Sequence, residues 1–394
     1  MGRDKINISI LTSGDFPDGG SGENLIRNLA MGMKEHSADI EVIRYRGIRS
    51  FSINNSGIIA KNYLFKKNAK NDLLKIFYQI CLIAFVPLFL IHHKFKRRGC
   101  PLLIFGLKYA YELFPFLLWC KILNIKIYQI IADYYPKKMI VPVWWKSFKN
   151  FFYRIQRKHI DKHFDGIIVL SHQLQQECLK YKVAKRKIII IPHFICFNET
   201  NFVHKSCNLR KITYSGGISV DNGITDLIEA FQLLKKKHDN IELVIIGNIT
   251  KAFKKELEVI KELTVNVKFT GFLPNKEAIE IMKKSHVLVN PRRISKWSNA
   301  GFPTKIGEYF STKKVVVSTP VGDLPHYLTN EKEIIFAENN NPQSLASAIN
   351  FLLHNNNLAE KIAKNAYLWG KKHLDYNKNA YKTLQFIFPE KTIA

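Results

Sequence analysis

The chain has 394 residues of which 46% are hydrophobic, enough for two domains with separate cores. Its 60 Lys+Arg against 32 Asp+Glu give a net charge of +28, and the excess leans forward: residues 1–200 carry 32 bases and 14 acids, residues 201–394 carry 28 and 18. Such a field selects anionic partners (lipid, nucleic acid or phosphorylated small molecules) and says nothing about fold, while six scattered cysteines without a Cys-x-x-Cys pair argue against a disulfide framework or a zinc site.

Met1-Gly2-Arg3-Asp4-Lys5 leads straight into an apolar strand, Ile6–Leu11, so a secreted protein is not expected and a reducing cytosol is. Gly14 to Gly22 follows, a loop whose glycines, Gly19 and Gly20 among them, let backbone approach a ligand; a plain tight turn is the competing reading. It lacks Gly-x-Gly-x-x-Gly, which argues against a nicotinamide-dependent enzyme. A helix from about Glu23 to Glu35 and a strand Ile40–Arg44 come next. Ile76 to Ile91 is nearly continuous apolar sequence between basic clusters; as a helix it measures about 24 Å, short of a ~30 Å hydrocarbon core. Strands are expected at Leu102–Phe105, Ile125–Ile131, Gly166–Leu170 and Ile188–Ile191. Asp133 ends one of them, where a carboxylate can bind hydroxyls, act as a base, or cap the loop. Val143 to Arg154 interleaves aromatics with bases, a mixture suited to a lipid headgroup layer or to an ordinary amphipathic helix. His159 and His163 have metal-ligand spacing but no third ligand, and His193 reads as structural.

Phe194 to Leu209 is polar and reads as a linker. The strand pattern then repeats: Lys211–Tyr214, Leu243–Ile246, Val267–Thr270, Val287–Asn290, Val315–Ser318 and Ile334–Phe336. Strand–helix alternation of this kind predicts parallel sheets with crossover helices. Tyr214 to Gly223, with Gly217 and Asn222, is a second glycine loop ahead of a helix. Gly247 and Phe272 follow strand ends and read equally as ligand-flanking or as turn and packing residues.

Asn290-Pro291-Arg292-Arg293 and Asn299-Ala300-Gly301-Phe302-Pro303-Thr304-Lys305-Ile306-Gly307-Glu308-Tyr309 predict a strand feeding an anion-binding helix, with Phe302, Ile306, Tyr309 and Phe310 on one face. A helix start presents unpaired N–H groups and about half a positive charge, to which Arg292, Lys296 and Lys305 add full charges. Glu308, about one turn in, suits two ribose hydroxyls. Diphosphate plus ribose means a nucleotide.

These residues resemble the donor-binding segment of the retaining glycosyltransferases of family 4, also called glycosyl transferases group 1, in the subgroup with Phe-Pro-Ser/Thr-Lys followed by Glu-Tyr. The resemblance implies a GT-B fold: α/β, two doubly wound Rossmann-like domains facing across a cleft, a C-terminal helix crossing back to the N-terminal domain. The implied domains are 1–195 for acceptor and membrane, 196–370 for the nucleotide sugar, and the returning helix 371–394. It assigns Asp133, Lys305 and Arg292 to catalysis, and Gly19, Gly20, Gly217, Asn222, Gly247, Phe272, Asn299, Pro303, Thr304 and Glu308 to substrate binding. Two departures stand out. The first of the family's two glutamates falls on Ala300, leaving Ser298 and Asn299 as polar substitutes, and the loop's usual arginine and lysine are replaced by Ile218 or Ser219 and Asn222. Leaving-group charge then falls on Arg292, Arg293, Lys296 or Lys305.

The implied activity is transfer of a hexosyl unit from a nucleotide-diphosphate sugar, without a metal or other cofactor, to a lipid-linked or glycan acceptor in cell-surface polysaccharide synthesis. The protein is expected to be cytoplasmic and peripheral on the inner face of the plasma membrane, touching anionic lipid through 61–98 and 140–158. No nucleic-acid reading module is evident. A catalytically degenerate nucleotide-sugar-binding or scaffold protein on the membrane is the alternative.

Overall fold

The computed structural model describes residues 6–13, 20–44, 51–53, 58–62, 72–133, 143–197, 209–250, 253, 254, 258, 265–295 and 297–391; for 51–53, 58–62, 72–82 and 143–146 only the backbone is described. The chain divides into two units, Met1–Phe194 with Tyr376–Ala394, and Ile195–Asp375.

The first unit holds β1 (Asn7–Thr12), β2 (Asp39–Arg44), β3 (Phe51–Ile53), β4 (Ile58–Asn62), β5 (Leu102–Phe105), β6 (Ile127–Ile131), β7 (Gly166–Val169) and β8 (Ile188–Ile190) in the order β3-β4-β2-β1-β5-β6-β7-β8. Pairing is parallel except between β3 and β4. Alternate residues of each strand serve opposite faces. Ile8, Ile10, Leu103, Ile130 and Ile168 pack under the Ser21–Glu35 and Tyr376–Ile387 helices. Leu11, Ile43, Leu102, Ile104 and Ile167 pack under the Asp72–Lys96 and Ala110–Ile122 helices. Connections step outward in both directions from β1 and β5, so the topological switch point lies between their carboxyl ends.

The second unit repeats the plan with β9 (Arg210–Ser215), β10 (Ile241–Ile246), β11 (Val267–Gly271), β12 (Val287–Asn290), β13 (Val315–Ser318) and β14 (Ile335–Phe336), all parallel in the order β11-β10-β9-β12-β13-β14. Its switch point falls between β9 and β12. Both units are thus doubly wound α/β sheets, as the strand–helix alternation predicts.

Two segments differ in extent from their sequence reading. The apolar run at 76–91 is part of a 25-residue helix, Asp72–Lys96, which continues through Pro87 and on into polar, basic ends. About 37 Å follows from that length, yet no helix among the described residues is long and apolar enough to cross a membrane. The expected linker is also buried where it begins: Phe194, Ile195 and Phe197 are almost wholly covered, and Ile195 N–H donates to Leu374 O at 2.8 Å. Residues 198–208 lie outside the described set.

His193 is structural: its buried ring accepts from Phe194 N–H at 3.0 Å, its carbonyl accepts from Asn379 Nδ2 at 2.7 Å, and burial pushes its pKa down to about 4. The Tyr376–Ile387 helix lies against Gly32, where a Cβ would stand 2.7 Å from both Ala380 Cβ and Tyr376 O. Gly32→Leu is therefore expected to cost about 1–3 kcal/mol and to expose Lys378 and Lys382 to trypsin. Thermal melting and limited proteolysis check this; wild-type behaviour in both would contradict the packing.

Candidate active site

The β9/β12 switch point is where the second unit concentrates polar groups. The Thr304–Ser311 helix lies on the crossover between β12 and β13, its inner face formed by buried Ile306, Tyr309 and Phe310 with Phe302 just ahead. No side chain caps its start and no acid lies in its first turn. Its N–H groups and dipole therefore meet an approaching anion without a carboxylate in between. Pro303, which precedes Thr304, has no N–H to satisfy.

Lys305 and Tyr309 stand one turn apart and both reach the end of β9. Tyr309 Oη accepts from Ser215 N–H at 2.8 Å and lies 3.3 Å from Val289 O, tying the helix to β9 and β12 together. Lys305 Nζ donates to Tyr214 Oη at 3.0 Å and sits 4.2 Å from the centre of that ring. Tyr214 Oη in turn donates to Gly217 O at 2.8 Å. The ammonium group is consequently packed against the glycine loop. At Gly216, with φ +150°, an added Cβ would stand 2.9 Å from both Lys305 Nζ and Tyr214 Oη. Burial pushes the Lys305 pKa down to about 7; the charge of Arg292 pushes the same way and Glu308 opposes.

Residues 199–369 match the family model of glycosyl transferases group 1. Among curated proteins, the chain is 23% identical over 250 residues to the uncharacterized glycosyltransferase MJ1069 of Methanocaldococcus jannaschii, covering 59% of this chain and 62% of that one. It is 23% identical over 234 residues to the capsular polysaccharide biosynthesis glycosyltransferase CapM of Staphylococcus aureus, covering 56% and 60%. The chain thus spans less than two thirds of the length of either relative. Among solved structures, Anabaena HepE in complex with UDP superposes with a TM-score of 0.69 at 15% identity, over 96% of this chain and 100% of that one. That likeness shows a shared GT-B fold.

Within the segment that matches glycosyl transferases group 1, the candidate residues divide by what they already hold. Asn222 braces the glycine loop, donating to Gly217 O at 2.8 Å and to Ser219 Oγ at 3.0 Å. Gly217 itself is exposed at the loop's apex. Gly247, with φ +141°, lets β10's exit cross the loop, since a Cβ would stand 1.9 Å from Gly216 O. Phe272 is an exposed ring just past β11. Glu308 is half-buried one turn inside the helix, and Thr304 opens it. Asn299 Oδ1 accepts from Gly322 N–H at 3.1 Å, fixing the turn before the helix.

Two proposed substitutes are committed elsewhere. Arg293 is not a spare cation: its Nε donates to Asp226 Oδ2 at 3.0 Å and Nη2 to Thr225 Oγ1 at 3.1 Å. Ser298 is buried, donating to Arg293 O at 2.8 Å and accepting from Ser295 N–H at 2.7 Å. Ala300 is buried as well. Arg292 is half-buried, Lys305 holds Tyr214, and Lys296 lies outside the described residues.

In the first unit, Gly20 opens the Ser21–Glu35 helix at the β1/β5 switch point, its carbonyl accepting from Asn24 N–H at 3.1 Å. That helix has Glu23 in its first turn, so it is a poorer anion site than the Thr304 helix. Asp133 is exposed just beyond β6. Gly19 and residues 134–140 lie outside the described set. His159 is exposed, and no group of three or more His, Cys, Asp or Glu among the described residues could hold a metal ion.

Sequence reasoning missed Tyr214, which it took as a strand end. A buried phenol requires a partner for its hydroxyl, and that requirement was the available signal.

Unfolded, Lys305 keeps its proton to about pH 10.5, whereas folded it loses it near 7. Between those values unfolding takes up a proton, so rising pH favours the folded state. Wild type should therefore gain stability relative to Lys305→Met from pH 7 to pH 10, read by denaturant melts of both proteins. A constant difference would contradict the burial.

Proposed function

We propose that the protein is a retaining glycosyltransferase of the family 4 subgroup, moving a hexosyl unit from a nucleotide-diphosphate sugar to a lipid-linked or glycan acceptor without a metal. The observation that carries this reading is the uncapped Thr304–Ser311 helix with Lys305 packed against the glycine loop at the switch point. UDP in the complex of HepE supports a nucleotide-sugar donor, and the name of CapM supports a setting in cell-surface polysaccharide synthesis. Diphosphate would lie on the helix start, with Lys305 and Arg292 replacing the cations missing at Asn222. Ribose would bind Glu308, and the base would lie by Gly247 and Phe272.

In the transfer, the bond from anomeric carbon to diphosphate oxygen breaks and its electron pair leaves with the diphosphate. A bond to the acceptor oxygen forms, and the acceptor's proton passes to Asp133. Nothing in this scheme requires a protein nucleophile. The enzyme would work as a peripheral protein on the cytoplasmic membrane face.

The buried Ala300 and the structural use of Asn222 favour a second reading, a nucleotide-sugar-binding protein that has lost turnover. Thermal shifts with UDP, GDP, ADP and dTDP sugars, followed by turnover of the stabilising donor, separate the two. Glu308→Ala should weaken nucleotide binding roughly tenfold or more. Lys305→Ala should lower kcat by about 10²-fold. Unchanged kinetics in both variants would refute the site.

A further inference from the structure

The Ala110–Ile122 helix is apolar on all sides yet lies on the surface. A helix of that composition is ordinarily enclosed by protein or by lipid. Leu113, Phe116, Leu117 and Cys120 enter the core beneath it. On its opposite side Phe114, Leu118 and Ile122, spaced four residues apart, are 52%, 44% and 60% exposed.

Its two neighbours show the same division. The Asp72–Lys96 helix buries Val86, Leu90 and His93, and exposes Phe85, Leu88 and Phe95 at helical spacing, the last two 62% and 81%. The Val143–Ile155 helix exposes Phe148 and Phe151. All three helices lie side by side over one face of the first unit's sheet. Phe89 meets Phe116 edge-on at 6.3 Å, Lys94 Nζ donates to Leu123 O at 2.6 Å, and Tyr111 meets Phe152 edge-on at 5.3 Å. Their exposed stripes therefore lie on one outward layer, and a cluster of exposed apolar side chains marks an interaction surface.

Charge identifies the occupant. Residues 72–161 contain 15 Lys+Arg and four acids, Asp72, Glu112, Asp133 and Asp161, the last buried against Arg157. Glu112 is buried, accepting from Lys108 N–H at 3.1 Å, whereas Lys94, Lys96, Lys121 and Arg154 are exposed around the stripes. A second copy would bring the same positive charge against itself. A nucleic acid would leave the aliphatic stripe unmatched. An anionic bilayer satisfies both properties, with acyl boundary for the rings and headgroups for the bases.

We propose that the outward faces of these three helices form one lipid-docking surface, lying in the plane of an anionic bilayer and sinking Phe85, Leu88, Phe114, Leu118, Phe148 and Phe151 into its headgroup–acyl boundary. This deepens the membrane location given above and rests on it, but it is independent of the nucleotide site. The two segments singled out in the sequence are the flanks, and the Ala110–Ile122 helix is the centre.

The test is co-sedimentation of the full chain with vesicles of phosphatidylcholine alone or mixed with phosphatidylglycerol, at low and high salt, with UDP affinity measured on the same preparations. Wild type should pellet with the mixed vesicles, bind neutral vesicles far more weakly, and release in high salt. Phe114→Ser/Leu118→Ser should lose at least about tenfold in binding, and Lys121→Glu/Arg154→Glu a comparable factor at low salt only, both with unchanged UDP affinity. Wild type left in the supernatant would overturn the proposal, as would a serine variant that pellets normally. So would a wild-type dimer, by light scattering, that the serine variant splits. Loss of UDP binding in wild type instead strikes the donor site and leaves the lipid result standing.

Discussion

The packing of Lys305 against the Gly216 loop constrains the whole second unit. A long cationic side chain occupies space at a strand end beside a residue with φ +150°, a backbone conformation that favours glycine. Tyr309 fixes the helix from the next turn, bonding β9 and β12 across the switch point. Tyr214 completes the arrangement by holding both the amine and the Gly217 carbonyl. Three side chains and one carbonyl thus make a rigid floor, in which the lysine is the group least suited to remaining there without an anion.

That floor also fixes what the neighbouring polar groups can do. Asn222 supplies no charge but keeps the loop's shape. Arg293 and Ser298 are drawn into the local scaffold. The helix start opening at Thr304 bears no acid, whereas the one at Ser21 carries Glu23. An anion would therefore meet a carboxylate at the second start and none at the first.

Much of this was legible in the sequence. β5, β12 and β13 fall on the expected residues because a parallel strand buried on both faces is a short apolar run bounded by polar turns, and such runs are unambiguous. The β3/β4 pair is not evident in the sequence, since Phe51–Ile53 and Ile58–Asn62 are only three and five residues long and too short to show a clear alternation. The Ala110–Ile122 helix had no amphipathic period to betray which side faced outward, so its surface character emerged only with the core placed beneath it. For the site, Pro303, Lys305 and Glu308 could be read from order and spacing. Partners such as Tyr214 for Lys305, Asp226 for Arg293 and Gly322 for Asn299 are 91, 67 and 23 residues away in the chain, and no local pattern encodes them.

The account stands on one claim: the second unit's helix start and Lys305 hold the diphosphate of a nucleotide sugar. A crystal structure of the protein grown with UDP addresses it directly. The account predicts the diphosphate within hydrogen-bond reach of Lys305 Nζ and the Thr304 or Lys305 N–H, with the ribose on Glu308. A nucleotide bound away from that helix start, or phosphates beyond hydrogen-bond reach of Lys305 Nζ, would contradict it.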